Sequence, residues 1–154
     1  MSAKTDDDKI TSVVEDYLEA ILVLSEEKGY TRVTDLANKL DKNKVSVSEM
    51  VKEKLTDLKL VVCEGKERIT SIALTDKGRV VAQKVKEQHD ILRSFLILIG
   101  VSNDNADRDS CVMEHDLSKN TSTQLKYFTQ FLHEEEQKDI LSRFKKYTQK
   151  KITD

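Results

Sequence analysis

Three of the side-chain types that hold transition metals fall within five residues of this chain, in Cys111-Val112-Met113-Glu114-His115. Positions i, i+3 and i+4 of an α-helix share one face, so on a helix Cys111, Glu114 and His115 point the same way. A thiolate, a carboxylate and an imidazole on one face make half of a transition-metal shell. Each also has an ordinary structural role, because cysteine often packs as a small apolar residue and Glu-His pairs are common on exposed helices. The metal reading therefore depends on whether the rest of the chain supplies further ligands, and something for a metal to switch.

Further donors are present elsewhere. Asp16 and Glu19 stand three apart in a stretch whose apolar positions Ile10, Val13, Val14, Tyr17, Leu18, Ile21 and Leu24 follow the helical period until Gly29 ends it. Taken alone, that acidic pair reads as a solvated helix face. His89 lies in the middle of a long helical pattern that opens at Thr75-Asp76-Lys77-Gly78 and runs to about Ile99, and a lone helix histidine reads as structural.

The elements that would position these side chains follow in order. After an acidic lead-in with Asp6-Asp7-Asp8 comes the first helix, and then a short amphipathic helix over residues 31–40. A polar break at Asp41-Lys42-Asn43-Lys44 precedes a second stripe, Val47, Val51, Leu55 and Leu58, which describes a helix-turn-helix. Leu60 to Cys63 and Ile69 to Leu74 flank Glu64-Gly65-Lys66-Glu67-Arg68 and read as a β-hairpin with a basic tip, the wing of a winged helix. Residues 28–68 hold ten Lys or Arg against seven Asp or Glu, so this segment is locally positive in a chain of net charge −2. Beyond the long helix, the polar segment from Gly100 to Asn105 reads as a linker and domain boundary. The Cys111 helix follows, then helices at about 122–132 and 134–151. Tyr127, Phe128, Phe131 and Leu132 form an apolar stripe that a small helical domain cannot bury alone, which points to a dimer face.

Composition sets limits on this layout. The chain has 154 residues, no proline and four glycines, with 35% charged and 38% apolar residues, which suits a mainly α globular protein. The longest apolar run, Phe95 to Ile99, is far short of a membrane span, and the N-terminus is too acidic for a signal peptide, so a cytoplasmic protein is expected. Cys63 and Cys111 stand in different contexts and are expected to be reduced thiols. No phosphate loop or nucleophile motif is present.

The layout resembles the diphtheria-toxin-repressor family of metal-dependent transcription regulators, and most closely its short manganese-transport-regulator branch, which has no SH3-like domain. The match is carried by Val14-Glu15-Asp16-Tyr17-Leu18-Glu19, Glu27-Lys28-Gly29-Tyr30, Val33-Thr34-Asp35-Leu36-Ala37, Leu74-Thr75-Asp76-Lys77-Gly78, Gln88-His89 and residues 111–118. The resemblance implies a winged helix-turn-helix DNA-binding domain over residues 1–74, followed by the long helix and a helical metal-binding and dimerisation domain over 75–154. It implies a metal site made of Asp16, Glu19, His89, Glu114 and His115, with Cys111 where the manganese branch has Glu. The iron branch has Cys at that position but lacks the acidic pair, so the site is a hybrid. Arg93 and Asp107 stand where the iron branch's ancillary site would have a carboxylate and a histidine.

Two further departures concern DNA. The segment from Met50 to Leu60 is one residue longer than the family's recognition helix, and Glu49 replaces a residue usually neutral or basic. An acid there weakens binding to phosphates unless it reads a cytosine amine.

The resulting expectation is a repressor that binds double-stranded palindromic operator DNA as a homodimer when loaded with a divalent transition metal. Fe(II) is favoured because of the soft Cys111 thiolate, and Mn(II), Co(II) and Zn(II) are alternatives. Arg32, Asn43, Lys44, Ser46, Ser48 and Lys52 are expected at the duplex, with Lys66 and Arg68 of the wing on phosphate. Rival readings are a winged-helix regulator with a vestigial or thiol-sensing site, and a small metal-dependent hydrolase.

Overall fold

The computed structural model describes residues 10–65 and 67–153. The acidic lead-in and Lys66 of the wing lie outside the described residues. Helix α1 (Ser12–Lys28) is capped by Thr11, whose hydroxyl accepts from the Val14 N–H, and it ends at Gly29 in the left-handed region at φ 77°. Glycine enters that region without the Cβ penalty other residues meet. One face of α1 buries Val14, Tyr17, Leu18 and Ile21 almost completely. Burying side chains of this size stabilises by roughly 1.5–3 kcal/mol each before chain entropy is counted, so α1 is the centre of the first core.

Against that core pack α2 (Val33–Lys39), through Leu36 and Ala37, and α3 (Lys44–Glu49), through Val47. The helix does not stop at Glu49. It continues as a π-helical stretch, Met50–Leu55, that buries Val51 and Leu55. Strands β1 (Val61–Glu64) and β2 (Ser71–Leu74) form the antiparallel hairpin, with Val61 opposite Leu74 and Glu64 opposite Ser71. The wing is tied back by Thr31, whose carbonyl accepts from the Ile72 N–H at 2.9 Å and whose hydroxyl donates to Ile21 O in α1.

Helix α4 (Asp76–Leu98) starts on the Thr75 hydroxyl, which accepts from the Gly78 N–H at 3.1 Å. Gly78 cannot be replaced cheaply, because a Cβ there would meet Leu60 O at 1.9 Å. The chain then forms α5 (Asn103–Asp116), α6 (Lys119–His133), a 3-10 turn (Glu135–Gln137) and α7 (Lys138–Thr153). Two compact units divide between Lys86 and Glu87, inside α4. The segment from Gly100 to Asn105 is therefore no boundary between them. It is a short turn with Gly100 at φ 98°, and α5 has begun by Asn103. The second unit has a small core of Leu92, Leu96, Ala106 and Leu132. It leaves Tyr127, Phe128 and Phe131 of α6, and Phe144 and Tyr147 of α7, exposed. Leu132, read in the sequence as part of that outward stripe, points into the core instead.

Candidate metal centre and nucleic-acid interface

In the second unit the chemistry gathers around Glu114. Its side chain is only 1% exposed, which is unusual for a carboxylate and requires compensation. His89 of α4 provides part of it, with Nδ1 3.0 Å from Glu114 Oε2. His115, the next residue on α5, brings Nε2 to 3.3 Å from Oε1. That approach is an ion-pair distance without hydrogen-bond geometry, and among the described residues the buried Oε1 finds no hydrogen bond. A buried carboxylate oxygen left this way costs on the order of several kcal/mol unless a cation meets it.

The surrounding residues hold this arrangement in place. Gln88 donates from Nε2 to the Glu114 carbonyl at 2.7 Å and to Ser122 Oγ at 3.2 Å, fixing α5 and α6 against α4. Ser110, fully buried, donates to Asp107 O and stands 3.3 Å from His89 Nε2. Neither role was legible beforehand, although Gln88 directly precedes His89. Arg93 and Asp107, the two departures at the ancillary position, form an ion pair with each other. A guanidinium thus neutralises the carboxylate there.

The expected ligands fall into three groups. His89, Glu114 and His115 are brought together within the second unit. Asp16 and Glu19 lie in the first unit on α1, three apart and half-buried, on the face away from Val14, Leu18 and Ile21. Cys111 is on α5 but exposed, and among the described residues its thiol does not join any close group of three metal-binding side chains. The other cysteine, Cys63, is half-buried in β1 and is not disulfide-bonded, and burial pushes its thiol up.

In the first unit a groove of about 620 Å³ runs between α3 with its π extension and the wing. Arg32, Lys44, Ser48, Lys52 and Arg68, all expected at DNA, line it. Asn43 and Ser46 do not. Asn43 is the N-cap of α3, and its side-chain carbonyl accepts from the Ser46 N–H at 2.8 Å. The Arg32 guanidinium lies 4.7 Å over the Tyr30 ring, a cation–π contact that holds it at the groove's edge. Glu53, which the sequence did not single out, lines the same groove beside Glu49.

Comparison with known proteins matches most of the chain. Residues 9–68 match the N-terminal DNA binding domain of the iron dependent repressors, and residues 75–140 match the metal binding and dimerisation domain of the same family. The HTH-type transcriptional regulator MntR of Geobacillus kaustophilus is 40% identical over 83% of this chain and 88% of its own. MntR of Bacillus subtilis is 35% identical over 88% of this chain and 94% of its own. Among solved structures, the manganese regulator SloR superimposes with a TM-score of 0.65 at 29% identity over 79% of this chain. IdeR of T. acidophilum has the same fold at 21% identity, with a TM-score of 0.63 over 81% of this chain. This chain spans 54% of each of those two solved chains, about half their length.

Proposed function

Because the chain belongs to the diphtheria-toxin-repressor and manganese-transport-regulator family of metal-dependent transcriptional regulators, we propose that it is a Mn(II)-responsive repressor. In this reading it binds palindromic operator DNA as a homodimer. Members of this family are regulators rather than enzymes, so the hydrolase reading is dropped. One observation supports metal gating above the rest: Glu114 Oε1, buried beside an imidazole and without a hydrogen bond. His89, Glu114 and His115 would hold the ion, and Asp16 and Glu19 of α1 would complete its shell with hard oxygens. A divalent cation bound there supplies the positive charge that these carboxylates need.

The chain's own residues do the rest. In this reading a bound cation cancels the mutual repulsion of the carboxylates it gathers. Cancelling that repulsion favours the DNA-competent state, because a ligand shifts an equilibrium by its differential affinity for the two states. Arg32 and Arg68 would meet phosphate, and Ser48 and Lys52 the base edges. The exposed aromatics of α6 and α7 would pair across a two-fold axis, and an operator partner places the protein in the cytoplasm.

The manganese reading displaces the expectation of Fe(II). The side chains gathered around Glu114 offer nitrogen and oxygen, and the relatives' names point to manganese. Cys111 is the one feature favouring iron, because a thiolate in the shell softens the site. Metal-dependent DNA binding measured with Mn(II), Fe(II) and Co(II) under anaerobic conditions separates the two. A lower half-maximal free concentration for Fe(II) would favour iron.

A further inference from the structure

The helix that faces the groove changes its geometry partway along. Met50–Leu55 is π-helical, and the Thr56 N–H reaches back five residues to Val51 O at 3.1 Å. The Thr56 hydroxyl donates to the same carbonyl at 2.8 Å, and the helix then closes in a Schellman motif, with Lys59 at φ 58°, the Leu60 N–H on Leu55 O at 2.9 Å and the Lys59 N–H on Thr56 O at 2.9 Å. The core side of the helix runs through the same stretch. Val47, Val51 and Leu55 are all fully buried and stand at steps of four. Four residues of an α-helix overshoot one turn by about 40°, so two such steps would swing Leu55 roughly 80° away from Val47. The wider π turn removes that drift and keeps the three side chains in one stripe.

The same correction acts on the opposite face. Lys44, Ser48 and Lys52, and alongside them Val45, Glu49 and Glu53, also stand at steps of four, and all six line the groove. In an uninterrupted α-helix the drift would carry Glu53 about 40° beyond Glu49 and out of the groove, while Lys52 would stay within the arc between Lys44 and Glu49. Single π turns inside α-helices recur at functional sites.

We propose that the π turn fixes part of the DNA sequence this protein reads by holding Glu53 in the groove beside Lys52, with Glu53 as the specificity-determining residue. The inference rests on the operator-binding reading above. On a face that meets DNA a carboxylate is repelled by phosphate, whereas at a base edge it accepts from the N4 amine of cytosine. Glu53, held beside Glu49, therefore selects cytosine, and Lys52 donates to the O6 or N7 of guanine one row away. Arg32 and Arg68, which line the same groove, supply the attraction to phosphate that offsets the two acids.

The test is selection of duplexes from a randomised library by the Mn(II)-loaded full chain, by Glu53→Ala, which removes the acceptor altogether, and by a chain lacking Lys54. Glu53 is exposed, so Glu53→Ala leaves folding alone. Removing Lys54 shortens the interval from Val47 to Leu55 from eight residues to seven, so an α-helix brings the two within about 20° of one another without widening. The wild-type pool should carry a cytosine in each half-site whose preference falls by roughly tenfold or more in Glu53→Ala. The deletion should release that position and retain the others. A Glu53→Ala pool with the wild-type consensus would overturn the assignment. A library that Mn(II)-loaded wild type fails to enrich would remove the operator reading itself, and this inference with it.

Discussion

Glu114 and His115 are neighbours on α5, and His115 Nε2 approaches Glu114 Oε1 to 3.3 Å without bonding it, while the other oxygen, Oε2, stands 3.0 Å from His89 Nδ1. One carboxylate thus has one oxygen engaged and one buried oxygen that takes no hydrogen bond. Glu114→Gln keeps the shape and removes the charge. The metal-free variant should melt at or above the wild-type temperature, because no buried anion remains uncompensated. Wild type should gain on the order of 5 to 10 °C from Mn(II) at a hundredfold excess over its Kd, and Glu114→Gln should gain almost nothing. Differential scanning with and without Mn(II) reads both effects. An equal metal-induced rise in the two proteins would exclude Glu114 as a ligand.

Asp16 tests the contribution of α1. Asp16→Ala should lose about tenfold or more in Mn(II) affinity, and should lose metal-stimulated DNA binding by a similar factor. The dimer should survive, because Asp16 lies on the α1 face away from Val14, Leu18 and Ile21. Sedimentation checks the dimer, and titration calorimetry checks the metal. Wild-type behaviour in both would leave α1 a purely structural helix.

The two thiols should behave differently. Burial pushes the Cys63 thiol up, so near neutral pH less of it is thiolate than in an ordinary cysteine, and access to it is partial. That gap narrows as pH rises towards the Cys63 value. Exposed Cys111 should therefore alkylate faster, as mass spectrometry of a labelling time course would show. In metal titrations Cys111→Ser should leave the Mn(II) response unchanged, and Cys111→Glu should sharpen it. A strong Fe(II) response lost in Cys111→Ser would place the thiol in the shell and favour the iron reading.

Much of this was readable in advance, for identifiable reasons. The apolar period of α1 and the stop at Gly29 define that helix, and Val61 to Leu74 with its charged tip defines the wing. Glu114 and His115 stand out because, with Cys111, they share one helix face, whereas His89 enters only through the family resemblance. Other features leave no local mark. The division inside α4 has no breaker residue, because a continuous helix can serve two units. The π turn hides because Val47, Val51 and Leu55 read as an ordinary helical stripe until the accumulated drift is counted. The burial of Glu114 opposes the usual preference of its residue type, and only the tertiary fold produces it. Glu53 leaves no signal of its own, because an exposed acid in a mixed run of Lys and Glu looks like a solvated face.

Metal gating is tested most directly by fluorescence anisotropy of a labelled duplex from the selected pool, titrated with the protein in excess Mn(II) and again after chelation with EDTA. Coupling between ligand sites typically amounts to about 1–3 kcal/mol, so chelation should weaken binding by about tenfold or more, and added Mn(II) should restore it. Equal affinity in both buffers would contradict the switch and leave a constitutive DNA-binding protein.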